Sequence, residues 1–152
     1  MANKHVRAEA RRLVALLPEL PQPWDITVLC EALGRMRGRP VKLHSADLPA
    51  LPFGMWYDDG RSDHIIHRSS ATGYYRDHIV LHEICHMLAG HGTALRDVAA
   101  EARAKGKACN DAEEELAETF SSMVLKAAGR MRPKGISPVE RRAEDLLGAG
   151  RA

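Results

Sequence analysis

The sequence predicts an α+β domain, a small antiparallel or mixed three-stranded sheet packed with helices. Three observations predict it. Helical hydrophobic periods occur in both the first and the last thirds of the chain, short β-prone segments lie between them, and a strong turn signal splits those segments. At 152 residues the chain is long enough for one domain and can bury roughly 70% of its unfolded surface without disulfide staples.

The elements follow in order. Apolar residues at Val6, Ala10, Leu13, Val14 and Leu17 describe an N-terminal helix over 6–17, stopped by Pro18. Pro18 to Pro23 is a stiff connector. Asp25 caps a second helix from Ile26 to about Met36, which Gly38 and Pro40 end. Val41-Lys42-Leu43 is the first strand; Phe53–Tyr57 and His64–His67 flank Asp58-Asp59-Gly60 as a hairpin. Helical periodicity returns from about Arg76 to Ala89 and again from Asp111 to about Arg130, with a short helix over Ala94–Ala104 between them. The core of the domain spans about 25–130, and the tail from Pro133 to Ala152 either holds a short helix after Pro138 or frays.

Composition narrows the function. Lys plus Arg number 22 against 20 Asp plus Glu, and aromatics are 5% of the chain. Neither a broad electrostatic surface for nucleic acid nor a stacking platform for single strands is indicated. Cys30, Cys85 and Cys109 form no CxxC pair, which fits a reducing compartment. With no secretory leader and no apolar run near the ~18 residues of a membrane span, the expected location is the cytoplasm.

The decisive motif is His82-Glu83-Ile84-Cys85-His86. On a helix, residues four apart share a face, so both imidazoles can approach one metal ion. Glu83, about 100° round the helix, can reach a water at that ion and take its proton. Val80, Ile84, Met87 and Leu88 lie on the opposite side, giving a core face and a site face. The same wheel points Cys85 away from Glu83, as a packed thiol.

A catalytic zinc site needs a third protein ligand. The extended pattern with Gly three and His six residues after the second His is absent, since Ala89 and Gly92 occupy those places. His78, too far from His86 on a straight helix to share an ion with it, and His91, five residues after His86, are both expected next to the site or facing substrate. The acidic candidates are Glu113, Glu114, Glu115 and Glu118. Glu113 projects near the core stripe of its helix, at a start where it would also favour the N-terminal dipole. Glu114 and Glu118 share another stripe, and Glu114 as ligand with Glu118 hydrogen-bonding a ligand imidazole is economical. A solvated face is the ordinary role of a glutamate in such a run.

The motif helix, followed by Glu114-x-x-Ala117-Glu118-x-Phe120-Ser121, resembles the ImmA/IrrE family of metallopeptidases over about Asp25–Ala128. In this chain Glu118 replaces the family's Asn or Asp, and Ser121 its Ala. The resemblance implies a zincin-like, minimal gluzincin fold with His82, His86 and Glu114 on Zn2+ and Glu83 as general base. It also implies cleavage of an XRE-type helix-turn-helix repressor; the charge balance and the lack of a long apolar run predict no direct nucleic-acid or membrane partner. The substrate is expected to lie extended on an edge strand, His64–His67, with Tyr57, Tyr74, Tyr75 or His91 stabilising the oxyanion. Two other readings stand beside it: a zinc-holding regulatory module that binds a repressor without cutting it, and a SprT-like protease.

Overall fold

A computed structural model describes residues 3–47, 54–91 and 111–130. Among these are four helices, α1 (Lys4–Val14), α2 (Ile26–Arg37), α3 (Gly73–Ala89) and α4 (Asp111–Ala127), and three strands, β1 (Val41–Ala46), β2 (Gly54–Asp58) and β3 (Asp63–Arg68). The architecture is mixed α+β. The expected helix over Ala94–Ala104 and the tail after Pro133 lie outside the described residues.

Local chemistry sets the helix ends. Asn3 Oδ1 accepts from the Val6 amide at 2.8 Å, so α1 begins before the first apolar residue of its stripe and ends at Val14. Asp25 Oδ1 accepts from the amides of Thr27 and Val28 at 2.8 and 3.2 Å, and Gly38 closes α2 at φ 74°, a left-handed value that glycine adopts without strain.

The strand order is β1-β3-β2, with β1 parallel and β2 antiparallel to β3. The 58–60 turn is tied down by Asp side chains: Asp58 Oδ1 accepts from the Gly60 amide, and Asp59 Oδ1 from those of Arg61 and Ser62. Buried Asp63 anchors the sheet to the end of α2 through Arg37 and Arg39, and it accepts from Trp56 Nε1 at 3.0 Å. One expectation changes. His64–His67 belongs to the central strand, paired on both sides, so it offers no edge to a substrate.

Leu13, Leu29, Leu33, Ile65, Leu81, Ile84, Phe120 and Val124 form one core that joins α1, α2, the sheet, α3 and α4. Helix α3 lies at its centre and is buried on nearly every side. Its buried residues run from Tyr75 through Asp77, His78, Ile79, Val80, Leu81 and His82 to Met87, so it lacks the clean division into core face and open face. A helix covered by other helices on one side and a sheet on another has no solvent side to be polar on. No described helix is long and apolar enough to cross a membrane.

Candidate metal centre

The centre is built where α3 meets the first turn of α4. Both motif histidines are buried, at 6% and 5% exposure, while the Glu114 side chain is 49% exposed and forms the rim. His82 Nε2 lies 2.8 Å from Glu114 Oε2, and His86 Nε2 lies 3.2 Å from Glu114 Oε1. One donor atom from each residue falls within 4.8 Å of the other two. Ligands at about 2.0–2.1 Å from a tetrahedral divalent cation stand roughly 3.3 Å apart. The three side chains therefore fit such an ion with little movement, and the set of two imidazoles and one carboxylate suits a borderline metal. Among the described residues this is the one group of three or more such side chains able to hold a metal ion.

Electrostatics describe the cluster without an ion. Burial opposes a charge on His82, but its hydrogen bonds to Glu114 and Glu118 outweigh that and hold the imidazolium up to about 10. Burial likewise works against ionised Glu114, and hydrogen bonds from His82 and His86 overcome it, keeping the carboxyl far below its usual range. Glu83 differs. Burial pushes its carboxyl up, and the neighbouring His82 and His86 rings offset this only in part. A carboxylate whose hold on a proton is strengthened by burial is suited to accept one from a neighbouring water.

Searches against family models, curated proteins and solved structures return no match. What the cluster can do follows from its own donors and their neighbours.

Those neighbours fall behind the two imidazoles. Glu118 Oε2 accepts from His82 Nδ1 at 3.3 Å and contacts His78 Nε2 at 3.1 Å. His78 is 1% exposed, so it does not open to solvent, and it meets the site through its contact with Glu118. His91 Nδ1 lies 3.1 Å from His86 Nδ1, and His91 Nε2 lies 3.4 Å from Glu113 Oε2. Glu113, assigned from sequence to the core stripe or the helix dipole, is thus the carboxylate next to His91. Glu115 is exposed and solvated.

The oxyanion candidates separate in the same way. Tyr57 is an odd number of residues from Gly54, whose α-carbon faces Ile79 and Glu83, so its ring leaves from the other face of the sheet and stacks on His64 at 4.8 Å. Tyr75 is 3% exposed. Tyr74 packs near His78, with ring centroids 6.2 Å apart. His91 meets the Nδ1 edge of His86, whereas the Nε2 edge faces Glu114, so it stands behind the ligand.

Proposed function

We propose that this chain is a zinc-dependent endopeptidase with a zincin-like, minimal gluzincin architecture, acting as an ImmA/IrrE-type enzyme on an XRE-type repressor. The observation that carries this reading is the meeting of Glu114, from a separate helix, with the Nε2 atoms of His82 and His86. The repressor as substrate rests on the motif resemblance alone.

His82, His86 and Glu114 would hold the zinc. When bound, the ion would polarise a scissile carbonyl and acidify a coordinated water. Glu83 takes the proton from the attacking water and delivers it to the leaving amine. Glu118 holds His82 through Nδ1, so that Nε2 faces Glu114 and can ligate once its proton is given up. Because β3 is flanked on both sides, an extended substrate would pair with the outer edge of β2, the strand whose first residue, Gly54, lies against Glu83.

The test mixes zinc-loaded protein with an XRE-type repressor and maps products by mass spectrometry. Site-specific cleavage is expected, and Glu83→Gln should retain zinc and fold while losing the cleavage. Normal proteolysis by that variant would remove Glu83 from its role. Zinc binding with no cleavage of any such repressor would favour the non-cutting regulatory module.

A further inference from the structure

We infer that His91 and Glu113 are positioning residues that fix the tautomer and orientation of His86, a role parallel to that of Glu118 at His82. The inference rests on the zinc reading above and adds two residues to it.

The geometry begins in the backbone. Gly90 ends α3 in the left-handed region at φ 74°, and this turn lets the His91 amide donate back to the His86 carbonyl at 2.9 Å. The same reversal brings the His91 ring beside the His86 ring, with centroids 5.3 Å apart. The first turn of α4 then supplies Glu114 to one edge of His86 and Glu113 to the far edge of His91. Adjacent residues of one helix thereby serve two successive positions of a single chain of contacts.

The proton placement follows. An imidazole that ligates through Nε2 must carry its hydrogen on Nδ1. His86 Nδ1–H then donates to His91 Nδ1, 3.1 Å away, and that nitrogen must be bare. The His91 hydrogen therefore sits on Nε2, the nitrogen that lies 3.4 Å from Glu113 Oε2. Each member leaves the next one orientation, so the Nε2 edge of His86 is already turned toward Glu114 and the ion's place, and its Nε2 proton leaves when the ion binds. This places His91 among the groups that set metal affinity, and not across the open side where an oxyanion would form.

Zinc affinity measured against a competing chelator tests the assignment. His91→Leu should weaken binding about 10- to 100-fold. His91→Asn, whose Oδ1 can accept where Nδ1 did, should recover most of that loss. Glu113→Ala should weaken binding in the wild-type background and add little in His91→Leu, since the two act through one contact. Wild-type affinity in His91→Leu, or equal weakening by Leu and Asn, would overturn the positioning role. Failure of the unmodified protein to bind zinc would instead overturn the metal reading itself.

Discussion

A methyl group placed on Gly54 of β2 would come within 3.2 Å of Glu83 Cγ on α3, and within 2.6 Å of Ile79 Cγ2. The strand and the motif helix touch at the residue assigned as base, and the absent side chain is what permits it. Gly54→Ala should therefore cost about 1–3 kcal/mol through overpacking and displace Glu83. Urea unfolding checks the first effect and cleavage rate the second. An unchanged midpoint would show that Ile79 and Glu83 yield freely.

Glu114 and Glu115, adjacent at the start of α4, should differ in their effect on zinc affinity. Glu114→Ala removes a donor and should have the larger effect. Glu115→Ala, at an exposed position, should have almost none. Isothermal titration of the two variants measures the order, and equal affinities would mean that the wrong carboxylate has been assigned.

His82 gives a pH dependence of defined sign. Its folded-state value of about 10 lies above its ordinary 6.5, so protonation stabilises the ion-free fold. That contribution is complete below pH 6.5 and disappears as pH rises towards about 10. Thermal unfolding of chelator-treated protein across this window should show the decline. Zinc should flatten it, because the ion takes the place of the Nε2 proton, and buffers of different ionisation enthalpy should reveal proton release on binding.

Asp59 acts in the opposite direction. Hydrogen bonding from His64 Nε2, at 2.6 Å, together with the Arg61 and Ser62 amides holds its carboxyl well below the usual range. A depressed carboxyl contributes above its unfolded value and loses that contribution as pH falls through the folded one. Asp59→Asn should reduce the acid sensitivity of unfolding between about pH 4 and pH 2, measured by circular dichroism.

Much of this arrangement was legible in the sequence, where the causes are local. Asp25 and Gly38 bound α2 through their own side-chain and backbone chemistry, and the four-residue spacing of His82 and His86 aligns them on any helix. The shared stripe of Glu114 and Glu118 was also visible, because it depends on helical period alone. The central place of β3 was not. It follows from parallel pairing with β1 across the intervening β2, and a long-range pairing leaves no mark in the pattern of either strand. The contact between Glu113 and His91 depends on how α4 docks against the end of α3, although Gly90 followed by His91 was an available sign that the chain turns back there.

Glu114 sits only three residues from the first residue of α4, in the turn that frays most readily in any helix. Its two histidine partners belong to the well-buried middle and end of α3, so an ion shared among them would clasp a loose helical start to a rigid post. Amide hydrogen exchange at 113–117 should slow on loading while that of α3 barely changes, making occupancy readable as a local tightening of the backbone.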